Sequence, residues 1–159
     1  MKKYFYFLLI IFLCGVIQVS LLDAFRVIGI KPDLCLIMTL IAAFNFRPKW
    51  AFGFGVFAGL MKDIFSSGGF GMNVAVFSLL VFLVVELNRR LPLDYGLIQL
   101  AVAFIVSILS NILSATAAAA SGKTVSAGIS AGMILLASVY TALIFLPVSR
   151  ILKPVVSLS

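Results

Sequence analysis

The sequence contains no histidine, two cysteines and one tryptophan in 159 residues. Without histidine, the commonest general base and a frequent zinc ligand are missing. Cys14 and Cys35 both fall in apolar runs, which argues against a disulfide framework and against a zinc site. No GxSxG or HExxH pattern occurs, and the plentiful serines have no base beside them. Carboxylates alone can do acid–base work, but nothing marks a substrate pocket around them. The chain therefore reads as non-catalytic, with no metal and no cofactor.

Charge is scarce as well. Only 11% of residues are charged, five of them acidic, against 64% apolar. A soluble domain needs a polar surface, and this composition cannot supply one. The net charge of +7 does not point to nucleic acid, because the cations sit singly or in pairs between apolar runs. The opening run MKKYFYFLLIIFLCGVIQVSLL has the lysines and apolar stretch of a signal peptide. No small-x-small cleavage site follows it, and Leu13 before Cys14 is unsuited to lipoprotein processing, so it reads as an uncleaved first membrane helix.

What is abundant is apolar sequence in long runs. Six spans are predicted, at Tyr4–Leu22, Leu34–Phe46, Trp50–Ile64, Phe70–Leu87, Leu97–Ala119 and Ala127–Pro147, forming one all-α transmembrane domain over residues 1–159. The second and third are short for a hydrocarbon core of about 30 Å. A re-entrant hairpin would bury the charges of Arg47-Pro48-Lys49 at about 2.5–3.5 kcal/mol each, so two true crossings are expected. With the N-terminus inside, eight cations (Lys2, Lys3, Arg47, Lys49, Arg89, Arg90, Arg150, Lys153) fall on the cytoplasmic side and four (Arg26, Lys31, Lys62, Lys123) outside. The positive-inside rule then gives N-in and C-in.

The polar residues inside this apolar frame carry the functional signal. In GVFAGLMKDIFSSGGFGMN, residues 55–73, Gly55, Gly59 and Asp63 follow at i, i+4 and i+8 and share one helix face. The glycines, with Gly53 thinning the helix further, open a groove for a neighbouring backbone. Asp63 at a helix C-terminus opposes the dipole and needs a partner; Lys62, Lys31, a backbone N–H or a hydroxyl can serve. Gly68, Gly69 and Gly71 permit a tight turn into the next helix, with Asn73 in its first turns. Pro32-Asp33 suits a helix start, the acid complementing the dipole. Gln18, Asp23, Asp33, Asp63 and Asn73 thus gather near the outer boundary from the first four helices, as an internal clasp or as a partner site. At the inner end Glu86, Arg89 and Arg90 form a solvated helix end. Asn111 is suited to a bond between helices, and the Ala/Ser/Gly-rich stretches of the last two spans to close packing, with a docking face for another membrane protein or a second copy left open.

Gln18 closing the first helix, Pro32-Asp33-Leu34 opening the second, and Gly55-x-x-x-Gly59-Leu60-x-x-Asp63 with the glycine turn at Gly71 resemble the MreD family of bacterial rod-shape-determining membrane proteins. The specific motifs lie in residues 18–73; the second half resembles the family in hydropathy. The resemblance implies the bacterial cytoplasmic membrane and a non-catalytic scaffold of the elongation complex. Its implied partners are an MreC-like protein, MreB filaments and the RodA–class B penicillin-binding protein pair that builds lateral peptidoglycan. It also implies a fold like the substrate-binding component of energy-coupling-factor vitamin transporters, which supplies the alternative of a small-molecule-binding transporter subunit. The residues it singles out are Pro32, Asp33, Gly55, Gly59 and Asp63.

Overall fold

The computed structural model describes residues 2–20, 32–65, 71–90, 96–120 and 131–157. They form α1 (Lys2–Ser20), α2 (Leu34–Asn45), α3 (Pro48–Phe65), α4 (Met72–Arg90), α5 (Gly96–Ala120) and α6 (Ala131–Ser157). Each corresponds to one predicted span. Three of them, over Met72–Arg90, Gly96–Thr116 and Gly132–Leu152, are long and apolar enough to cross a membrane.

The packing is a hub inside a ring. Among the described residues α2 touches each of the other five helices, which otherwise meet only as neighbours in the circuit α1–α3–α4–α5–α6–α1. Composition explains why α2 is the hub. Its sequence LCLIMTLIAAFN is apolar on every face, and Cys35 through Ala43 are all buried. A helix without a polar face belongs in a core. The lone hydroxyl inside it, Thr39, donates to the Cys35 carbonyl at 2.8 Å and so adds no unmet demand. Its 12 residues make a rod of about 18 Å. A helix enclosed by protein does not have to match the hydrocarbon thickness, which accounts for a segment too short for a conventional span.

The ring helices are two-sided. On α1, Phe7 and Ile11 are fully buried, while Phe5, Tyr6, Leu9 and Leu13 face outward. Outward-facing Phe82 on α4, Ile105 on α5 and Leu143 on α6 continue this apolar exterior. Such a surface is unsuited to water and suited to lipid. At one end of the bundle an aromatic cluster joins α1, α2 and α3. Tyr4 stacks on Trp50 at 4.2 Å between ring centroids, and Phe7 meets Phe46 at 4.8 Å and Phe54 at 4.9 Å. Tyr and Trp are favoured at membrane–water boundaries.

The structure refines several sequence expectations. The helix of the last predicted span continues past that span's end at Pro147; α6 runs through Pro147 and Pro154 to Ser157. Proline removes one backbone donor, but a packed or membrane helix tolerates that loss, so it is a weak stop signal here. Pro32 precedes Asp33, which is the N-cap of α2. Gly53 does not thin the packing face, since a Cβ there would meet nothing within 4 Å. Asp23, Arg26, Lys31, Gly68, Gly69 and Lys123 lie outside the described residues.

Candidate functional site

The candidate residues form two adjoining polar clusters on one end of the bundle. The first is built on Asp33. Its Oδ1 accepts from the Leu36 N–H at 3.1 Å, which is an N-cap bond satisfying a donor of the first turn of α2. Its other oxygen, Oδ2, pairs with Lys62 of α3. Gln18 of α1 bridges to the same site: its Nε2 lies 3.5 Å from Asp33 Oδ1, and its Oε1 accepts from the Cys35 N–H at 3.1 Å. From α6, Thr141 Oγ1 accepts from the Asp33 N–H at 3.4 Å. The hub's N-terminus is thereby tied to α1, α3 and α6 by side chains that are at least partly buried. The ammonium of Lys62 also lies 5.1 Å from the centroid of Phe77, a ring face that favours a cation.

The second cluster is built on Asp63, which is 4% exposed at the end of α3. The Gly71 carbonyl accepts the first bond of α4, from the Ala75 N–H at 3.1 Å, so Gly71 stands where a capping side chain is normally found. Glycine has none, and its φ of 95° explains why glycine is there. Asp63 supplies the missing cap from another helix. Its Oδ2 accepts from the N–H groups of Gly71 at 2.9 Å and Val74 at 3.2 Å. Its Oδ1 accepts from the Asn73 N–H at 3.1 Å and Asn73 Nδ2 at 2.8 Å. A carboxylate that opposes the dipole of its own helix is thus placed at the positive end of the next. Among the described residues, Asp63 accepts from backbone N–H groups and the Asn73 amide, and Lys62 turns to Asp33 instead.

The glycine face closes the same joint. A Cβ on Gly59 would stand 2.7 Å from Val74 Cα, 2.8 Å from Asn73 O and 2.9 Å from Val74 N. These are backbone atoms that cannot turn aside. At Gly55 the clash would be with Val81 Cγ2, at 2.5 Å. The groove along Gly55, Gly59 and Asp63 is therefore filled by α4 of the same chain.

Seven of the eight candidates thus lie in hydrogen bonds or helix contacts: Gln18 with Asp33, Asp63 with Gly71 and Asn73, and Gly55 and Gly59 against α4. Pro32, the eighth, is buried beside Asp33. Sequence reasoning missed Thr141, which comes 108 residues after Asp33. A threonine in an apolar run is ordinary, and no local signal marks it. It also assigned the polar groups to the first four helices, whereas α6 contributes one. No group of three or more metal-ligating side chains occurs among the described residues.

No curated protein and no solved structure matches the chain. The family model for rod shape-determining protein MreD matches residues 1–155. With nearly the whole length aligned, and with the glycine–aspartate joint that prompted the resemblance in place, the chain belongs to the MreD family of rod shape-determining membrane proteins.

Proposed function

We propose that this protein is a non-catalytic scaffold of the elongation complex in the bacterial cytoplasmic membrane, where it binds an MreC-like partner and supports lateral peptidoglycan synthesis. The observation that carries the reading is the family match over residues 1–155. The structure adds support of a physical kind. Asp33, Asp63, Gln18 and Asn73 are committed to internal bonds, as expected of a frame that holds a surface in shape. A small-molecule site would instead turn convergent polar groups toward an open pocket. The Gly55–Gly59 face is occupied by α4, so a partner's membrane helix docks elsewhere on the apolar exterior of the ring. MreB filaments, RodA and the class B penicillin-binding protein are the further members of the assembly in this proposal.

The same proposal includes six membrane crossings with both termini in the cytoplasm, and a fold like the substrate-binding component of energy-coupling-factor transporters. The eight-to-four distribution of cations supports the orientation. After replacement of Cys14 and Cys35, cysteines at Lys49 and Arg90 should resist a membrane-impermeant thiol reagent in intact cells, and cysteines at Gly68 and Lys123 should react. Labelling at Lys49 from outside would sink the six-crossing arrangement.

Function is tested by depletion and by purification. Depletion should round rod-shaped cells without creating a vitamin requirement. The protein extracted in mild detergent should retain an MreC-like partner and no stoichiometric vitamin. A tightly bound vitamin, or growth rescued by one, would favour the transporter-subunit alternative.

A further inference from the structure

The α3–α4 pair is pinned at the Asp63 end, where Gly59 brings the backbones together. At the opposite end the two helices leave a groove of about 480 Å³, a volume in the range of ligand sites. Its walls are apolar: Phe52 from α3, and Val81, Phe82 and Val85 from α4. Its rim is charged, with Lys49 at the start of α3 and Glu86 and Arg89 near the end of α4. Glu86 is already engaged. Its Oε1 accepts from Arg90 Nε at 3.0 Å and Nη2 at 2.9 Å, and Arg89 Nη1 stands 3.7 Å from Oε2. Arg90 offsets that carboxylate, and the rim is left cationic through Lys49 and Arg89, with Arg47 two residues before Lys49.

We propose that this groove binds one anionic phospholipid, its phosphate held by Lys49 and Arg89 and an acyl chain laid against Phe52, Phe82 and Val85. Three features select that occupant. Phe52 and Phe82 are 46% and 69% exposed, so the groove opens on the apolar exterior where lipid chains are. Lys49 directly precedes Trp50, which stacks with Tyr4 at the level where aromatic side chains mark the membrane boundary. Headgroup phosphates occupy that level, and basic pockets between helices on the cytoplasmic side suit anionic headgroups. A partner helix is a poorer fit, because helices in lipid pack closely through small residues and this wall carries two phenylalanines. The inference needs α3 and α4 in the membrane and is independent of the MreC-like partner.

The test is native mass spectrometry of the full chain with phosphatidylglycerol and phosphatidylcholine of identical acyl chains at equal concentration. The expected result is selective retention of one phosphatidylglycerol. Lys49→Gln with Arg89→Gln should weaken that retention about fivefold for each cation neutralised. Both side chains lie on the exposed rim, so the fold should be kept. Arg150→Gln, which removes a cation away from the groove, should change retention little, and Val85→Trp should displace the lipid by filling the wall. Equal retention of the two lipids would overturn the proposal. So would retention that survives the double substitution, or an Arg150→Gln effect as large as that of the double variant. A photo-crosslinker at Phe52 in cell membranes should yield a lipid adduct; a polypeptide adduct in its place would also overturn it.

Discussion

The polar chemistry of residues 18–74 and that of α5 and α6 follow different rules. In the first region Thr39 and Asn45 bond back within α2, but the other polar side chains bond across helices: Gln18 to Asp33, Lys62 to Asp33, and Asp63 to Gly71, Asn73 and Val74. In the second, hydroxyls mostly bond backward within their own helix. Thr116 donates to Leu113 O, Ser138 to Ile134 O, Thr141 to Ala137 O and Ser149 to Leu146 O. A self-satisfied hydroxyl adds little to tertiary structure. A buried carboxylate that caps another helix adds much, because its removal strands several donors at once. The two halves are similarly apolar and differ in how their helices are fastened: the first by directional bonds, the second mainly by close packing of α5 on α6.

The largest effect should follow Asp63→Ala. It leaves the N–H groups of Gly71, Asn73 and Val74 and the Asn73 amide without their acceptor. Thermal unfolding in detergent should show a loss of more than about 3 kcal/mol. Asp63→Asn keeps one acceptor oxygen and should lose clearly less, with membrane insertion intact.

Next comes the glycine series, read by the same unfolding assay. Gly59→Ala should cost about 2–3 kcal/mol, since the added carbon meets backbone. That is a sharper penalty than glycine spacing alone suggests, which would make alanine a mild change. Gly55→Ala should cost less, because the obstacle is a Val81 methyl. Gly53→Ala meets nothing within 4 Å and should cost nothing. Equal losses at all three positions would erase the contrast between a packed face and an exposed one.

The smallest effect belongs to the second region. Asn111 Nδ2 donates to Ser138 Oγ at 3.3 Å, a side-chain bond between α5 and α6. Asn111→Ala should cost about 0.6 kcal/mol and stay below about 2 kcal/mol. A loss matching that of Asp63→Ala would show that α5 and α6 are fastened in the same way as residues 18–74.

The helices were legible because long apolar runs separated by charged or glycine-rich turns leave few alternatives. The i, i+4, i+8 spacing placed Gly55, Gly59 and Asp63 on one face, and α4 lies on that face. The Pro32-Asp33 pair announced a helix start because an N-cap is a local interaction, and Asp33 is the N-cap of α2. What could not be read was who meets whom. That Lys62 reaches back to Asp33 rather than to its neighbour Asp63, and that Thr141 closes the cluster, follows from the hub-and-ring arrangement. The centrality of α2 was half visible: its all-apolar surface and short length are the marks of an enclosed helix, yet the same length suggested a re-entrant turn.

The central claim is that Asp33 and Asp63 act by fastening the frame and not by touching a partner. Its direct measurement is rod-shape complementation by Asp33→Asn, Asp63→Asn and Asp63→Ala, plotted against the amount of folded protein in the membrane. The account predicts a single relation, in which shape fails only as far as the folded protein is lost and recovers when expression restores it. A variant as abundant and as stable as the parent that still gives round cells would contradict it.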